Sequence, residues 1–232
     1  MTNKVEIPNI TKDLAYLCGV LAGDGNINIR PEKHDYSIKC VGNPKDEKEY
    51  YKKLIVPLFD KIFNLKVKAR HYDKGTTYGI RIWSKELVYY LTNFIELPSG
   101  KKYNKLKIPS IFKKNELLLK SFIQGVADTD FGLSFKKKGY PVIVGSSNTK
   151  SFMEEIGNEL DKFGLSCIRC FDYKRKDPRF KKGYSIIHRL ELNGHSQLTK
   201  WMDIIGFRHP KHNKKVEIWR KRYTSGGWKI RN

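Results

Sequence analysis

The sequence predicts an α+β fold made of two similar αββαββα halves, and three observations predict it. An apolar helix running from a glycine to an acid five residues later occurs twice, at Gly19–Asp24 and at Gly125–Asp130. Each copy is followed by pairs of segments that alternate apolar and polar residues, the period of a half-buried strand. Each copy also closes its middle helix on similar text, Phe59-Asp-Lys-Ile-Phe-Asn-Leu65 and Leu160-Asp-Lys-Phe-Gly-Leu165. Internal repetition of this kind constrains the whole topology.

In order, the first copy reads as a helix over 14–24, strands over 26–30 and 36–41, and a helix ending near 65. Strands over 66–72 and 78–83 follow, and a helix over 84–95. The second reads as a helix over 120–130, strands over 133–136 and 141–146, and a helix ending near 165. Strands over 167–173 and 185–192 and a helix over 196–205 complete it. The turns carry Asp73-Lys-Gly75 and Lys181-Lys-Gly183, and glycine supplies the positive φ that tight turns demand. Basic tails, Asn104-Lys-Leu-Lys107 and Asn213-Lys-Lys215, end the copies. The expected organisation is an N-terminal half over 1–100, a linker over 101–112 and a C-terminal half over 113–232. Together the halves imitate a two-fold dimer within one chain, hence a monomer.

Composition narrows the partner. The chain has 232 residues with 46 Lys+Arg against 24 Asp+Glu, a formal charge of +22, and 12% aromatic residues. The aromatic content supports a packed core, while a charge of this size points to a polyanion, foremost nucleic acid. No apolar run approaches the roughly 20 residues needed to cross a bilayer. With no signal-peptide core at the polar start and four scattered cysteines, the expectation is an intracellular protein, cytoplasmic, nucleoid-associated or organellar, with no membrane partner.

The two glycine-to-acid helices carry the chemistry. Gly19 and Gly23 lie four apart on one, and Gly125 and Thr129 on the other. Such small residues allow two helix backbones to approach closely. A parallel pair would bring Asp24 and Asp130 together, although a helix C-terminus already carries partial negative charge and like charges repel. Divalent cations on hard oxygen ligands offset that cost, and Mg2+ is typically held by one or two carboxylates plus substrate phosphates. An acid pair, a metal and a phosphodiester together specify hydrolysis by metal-activated water.

Leu17-Cys-Gly-Val-Leu-Ala-Gly-Asp24-Gly25 and Ile123-Gln-Gly-Val-Ala-Asp-Thr-Asp130 resemble the two signature motifs of the LAGLIDADG homing endonucleases in their single-chain form. The resemblance covers nearly the whole chain. It implies a saddle of two four-stranded antiparallel sheets in successive major grooves of double-stranded DNA, and a staggered double-strand cut at a long target. It also implies catalysis by Asp24 and Asp130, with Gly23 and Thr129 beside them in the metal set. Mg2+ is the implied cofactor, Mn2+ or Ca2+ being able to replace it in binding. With no splicing domain in the sequence, an intron-type enzyme is expected rather than an intein. Lys105 or Lys107, and Lys214 or Lys215, occupy the region that supplies lysines near such a site. Three departures stand out: Ala22 replaces an additional acid, Phe131 is inserted between Asp130 and Gly132 with Asp128 as a fallback ligand, and Gly42 stands where a polar residue is usual. Ser146 or Ser147 is its counterpart.

Strand parity selects the face offered to DNA. In the first half it comprises Asn26, Asn28, Arg30, Ser37, Lys39, Lys68, Arg70, Tyr72, Arg81 and Trp83. In the second it comprises Ser134, Lys136, Lys138, Ser146, Arg169, Tyr173, Arg175, Arg189 and Glu191, with weak alternation over 167–173. Asn and Arg suit adenine and guanine edges, while lysine-rich loops suit phosphates. Cys167-x-x-Cys170 is half a zinc pattern and reads as packing. His209-x-x-His212 reads as part of a basic loop, and Trp201, Trp219 and Trp228 read as packing residues. Two other classes compete with the nuclease: a maturase binding intron RNA, and a DNA-binding regulator without catalysis.

Overall fold

The computed structural model describes residues 7–224. Trp228 lies outside them. In the first half the order is α1 (Lys12–Gly23), β1 (Gly25–Arg30), β2 (Asp35–Gly42), α2 (Pro44–Tyr50), α3 (Val56–Phe63), β3 (Arg70–Tyr72), β4 (Thr77–Trp83) and α4 (Lys85–Tyr89). The short α5 (Ser110–Lys113) leads to α6 (Glu116–Asp130). There follow β5 (Phe131–Phe135), β6 (Pro141–Ser147), α7 (Lys150–Lys162), β7 (Ile168–Lys176), β8 (Tyr184–Asn193), α8 (His195–Ile204) and α9 (Pro210–Thr224). Two antiparallel four-stranded sheets result, β1-β2-β4-β3 and β5-β6-β8-β7, with the same order in both. The chain divides into two compact units after Thr129, so that α6 belongs almost entirely with the first half.

The helices start and stop for local reasons. Thr11 caps α1, its Oγ1 accepting from the Leu14 N–H at 3.2 Å. Ser84 caps α4 in the same way through the Leu87 N–H. Between α2 and α3 the chain widens into a π turn at Tyr51–Ile55, directly ahead of Pro57, which has no N–H to continue an ordinary helical ladder.

Helix α1 is buried on every face from Leu14 to Ala22. On the inner side of the first sheet Ile27, Ile38, Cys40, Ile80 and Ile82 are buried, as are Tyr50, Tyr51, Phe59 and Phe63 on the helices above it. Each such aliphatic side chain is worth about 1.5–3 kcal/mol over exposure. The second unit buries Leu133, Ile143, Phe152, Ile156, Leu190, Leu192 and Trp201, with the Phe131 ring stacked 5.9 Å from that of Trp201.

Several expectations change. Strand β3 begins only at Arg70, so Lys68 lies ahead of it in irregular chain. The second basic tail is helical, within α9, which buries Val216 and Trp219. His209 and His212 are buried at the start of that helix and not in a loop: the Lys211 N–H donates to His209 Nδ1 at 3.0 Å, and the Phe207 and His212 rings stack at 4.6 Å. Phe131 is not an insertion. It pairs with Gly145 as Gly25 pairs with Cys40, so Phe131 replaces the first motif's glycine, and its ring occupies the space that a side chain at 145 would need.

Candidate active site and nucleic-acid face

The two motif helices meet backbone to backbone. A Cβ on Gly19 would lie 2.1 Å from the Phe122 carbonyl oxygen, and one on Gly125 would lie 2.0 Å from that of Tyr16. No side chain fits at either position. Beside this crossing the Tyr16 hydroxyl donates to Asp128 Oδ2 at 2.6 Å and lies 2.8 Å from the Tyr50 hydroxyl. Asp128 is 2% exposed and committed to this network, which leaves it poorly placed as a ligand. Burial pushes the Tyr50 hydroxyl well above its ordinary range, with Tyr16 and Asp128 adding to the rise, so the phenol stays protonated.

Asp24 closes α1, its N–H donating back to the carbonyls of Leu21 and Val20, and its residue is half-buried where β1 starts. Thr129, whose hydroxyl donates to the Val126 carbonyl at 2.9 Å, and Asp130 are the last two residues of α6. The lysine that reaches the end of α1 is Lys102. Its Nζ donates to the carbonyls of Leu21, Ala22 and Gly23 at 3.1, 2.8 and 2.5 Å. A cation at a helix C-terminus opposes the negative end of the helix dipole, and here it stands one residue from Asp24. Lys105 is exposed in the turn just after Lys102, and Lys107 pairs with Glu96 at 2.9 Å. In the second unit Lys215 donates to the Leu133 carbonyl at 2.7 Å, whereas Lys214 is exposed. No sequence spacing marks Lys102. The loop carrying it is drawn back to the sheet by the Gly100 N–H donating to the Ile27 carbonyl at 2.8 Å.

The donors suit a hard cation. Asp24 offers carboxylate oxygens, and the Gly23 carbonyl spends one lone pair on Lys102. No group of three or more His, Cys, Asp or Glu side chains gathers among the described residues. Such a donor set suits an ion that completes its shell with water and phosphate oxygens, and it does not suit zinc; Cys40 and Cys18 are buried thiols, and Cys167 and Cys170 sit on and beside β7.

Register defines the polar face of each sheet. In the first, the pairs Asn26–Lys39, Asn28–Ser37, Lys39–Arg81 and Ser37–Trp83 put Asn26, Asn28, Arg30, Ser37, Lys39, Arg81 and Trp83 on one side. Arg70 and Tyr72 join them across Gly79 and Thr77. Lys68, although outside the strand, lines a cleft of about 290 Å³ together with Lys66, Arg70, Tyr72, Arg81 and Trp83. Arg81 lies over the Trp83 ring at 4.7 Å, and Lys39 pairs with Asp73 at 2.8 Å.

In the second sheet Ser134, Ser146, Arg189 and Glu191 share a face, and Lys136 is exposed just beyond β5. β7 carries a bulge. Cys170 pairs with Arg189 but Tyr173 pairs with Ile187, so one extra residue intervenes, and Asp172 takes a positive φ of 57°. Parity inverts there. Tyr173 and Arg175 share the side of Arg189, which lies over the Tyr173 ring at 5.0 Å. Arg169 pairs with buried Leu190 and turns toward α7, donating to Asp161 Oδ2 at 2.5 Å. It leaves the polar row.

No protein-family model matches the chain. An uncharacterized protein of Methanocaldococcus jannaschii is 27% identical over 79% of the chain, which spans 65% of that protein's length. The homing endonuclease I-ApeI of Aeropyrum pernix is 27% identical over 88% of the chain and 85% of its own length. Among solved structures, I-DmoI in complex with DNA and Ca superposes with a TM-score of 0.61 at 19% identity, covering 90% of this chain and 98% of that one. The fold is that of the LAGLIDADG homing endonucleases. Within the LAGLIDADG fold the motif glycines at 19 and 125 are the contact points of the helices, and the motif acids at 24 and 130 close them. No helix among the described residues is long and apolar enough to cross a membrane.

Proposed function

We propose that the chain is a site-specific DNA endonuclease that uses Mg2+ to make a staggered double-strand cut, acting as a monomer on double-stranded DNA. The observation that carries this reading is the motif helix pair: α1 and α6 touch through two glycines that tolerate no side chain, and each ends in an aspartate where a sheet begins. Similarity to I-ApeI, a homing endonuclease, and to I-DmoI, crystallised with DNA and Ca and with DNA and Mn, supports it. The intron-RNA alternative has no comparable support.

Asp24 and Asp130 are the residues that would hold divalent ions, one acid from each helix. Such ions supply Lewis acidity and a nucleophilic water at neutral pH. Lys102 neutralises charge at the end of α1, and Lys215 is its counterpart candidate in the second unit. Asn26, Asn28, Arg30, Arg70, Arg81, Arg175 and Arg189 would read base edges, with Lys39, Lys68 and Lys136 positioned for phosphates or bases. Plasmids carrying candidate targets should be cut with Mg2+ and left intact with EDTA. Asp24→Asn and Asp130→Asn should each abolish cutting while retaining DNA affinity. Loss of affinity in both variants would instead refute a metal role.

A further inference from the structure

Gly42, the last residue of β2, has no side chain, yet its place is filled. A Cβ there would lie 2.7 Å from Cγ of Glu47, 2.9 Å from its Cδ and 3.2 Å from its Oε2. Glu47 stands in the first turn of α2, where its neighbours Lys45, Asp46 and Lys48 are exposed, but it is itself only 8% exposed. A carboxylate folds inward in this way only when positive charge or donors compensate the lost water.

Its surroundings are those of the α1 terminus. Cys40, one pleat before Gly42, pairs with Gly25, the residue after Asp24. Burial raises the Cys40 thiol to about 12; Asp24 and Glu47 add to the rise, and the Tyr51 hydroxyl and Lys102 oppose it. Asp24 and Glu47 likewise both act on the Tyr51 hydroxyl, after burial and Cys40. Glu47 on Gly42 and Asp24 beside Gly25 thus flank Cys40 from the two paired strands, and Lys102 holds the Gly23 carbonyl one residue before Asp24. The second unit arranges the same position differently. Ser147 ends β6 as Gly42 ends β2, and five residues on, where the first unit has Glu47, it has the buried apolar Phe152. The polar group sits on the strand in one unit and on the helix in the other.

We propose that Glu47 is a positioning residue of the Asp24 metal site, its carboxylate ordering the solvent between Asp24 and Lys102 from the space above Gly42. The proposal rests on the metal-dependent reading given above. It is tested on the full chain with Glu47→Gln, which keeps shape and removes charge, and Gly42→Ala, which keeps the charge and displaces the side chain. Tb3+ alone, titrated against tyrosine-sensitised luminescence, reports cation binding without cleavage; Mg2+ titration of plasmid cutting reports the loaded enzyme. Both variants should raise the half-saturating Tb3+ and Mg2+ concentrations about tenfold, with DNA affinity in EDTA unchanged. Unmoved half-saturation, with or without a lower melting temperature, overturns the assignment. Were the wild type to cut with Mg2+ while Glu47→Gln matched it, the nuclease reading would survive without Glu47. A wild type that neither binds Tb3+ nor cuts would refute both.

Discussion

Lys102 works against the main electrostatic problem of the α1 terminus, where three backbone carbonyls converge and an aspartate follows. Its ammonium stabilises the helix end and, on the endonuclease reading proposed above, would place a positive charge beside Asp24 for a phosphate oxygen. Lys102→Met should slow cutting by about 100-fold, in the range for removal of one transition-state donor. It should lower stability by about 0.3–1 kcal/mol, the worth of a cation at a helix C-terminus. Single-turnover cleavage and thermal melting measure the two effects, and equal cutting by variant and wild type would remove Lys102 from the mechanism. The sequence singles out Asp24 because an acid five residues after a helical glycine recurs in the second copy. Lys102 has no such mark. Lys105 and Lys107 look equivalent to it until the Gly100 hydrogen bond decides which lysine is carried to the helix.

Helices and strands differ in how much of their geometry is local. The contact between α1 and α6 follows from glycine spacing, and its tightness makes a sharp expectation. Gly19→Ala should cost more than about 3 kcal/mol, because the added methyl would meet the Phe122 carbonyl at 2.1 Å and backbone cannot yield as a flexible side chain does. Denaturant unfolding measures this; a loss under 1 kcal/mol would mean that the helices can separate freely. The β7 bulge is the opposite case. Weak alternation over 167–173 hints at irregularity, but only the pairing with β8 shows that parity inverts at Asp172 and that Arg169 turns to Asp161. Arg189→Met should therefore weaken DNA binding at least several-fold, while Arg169→Met should leave it within twofold. Parallel titrations with one duplex compare them, and equal losses would contradict the inverted register. α9 carries no strong apolar stripe in its lysine-rich sequence, so local pattern does not mark it as a helix. It is helical because Val216 and Trp219 find burial against the rest of the unit.

The whole chain carries +22, a charge suited to a polyanionic partner. If about ten phosphates are neutralised, a plot of log K against log salt should slope near −9, and a slope shallower than about −3 would rule out contact across both polar faces. Fluorescence anisotropy over a salt series provides the measurement. Repetition in the sequence determined the αββαββα order and singled out the two acids, because periodicity, turn residues and helix-end acids are properties of neighbouring positions, whereas the strand order of each sheet comes from the pairing itself. The tertiary structure alone decided that Lys102 caps α1, that Asp128 is locked to Tyr16, that Glu47 fills the space of Gly42 and that Arg169 turns to Asp161 on α7. Each of those depends on which distant backbone a side chain meets, and chain return and strand register set that meeting, not local pattern.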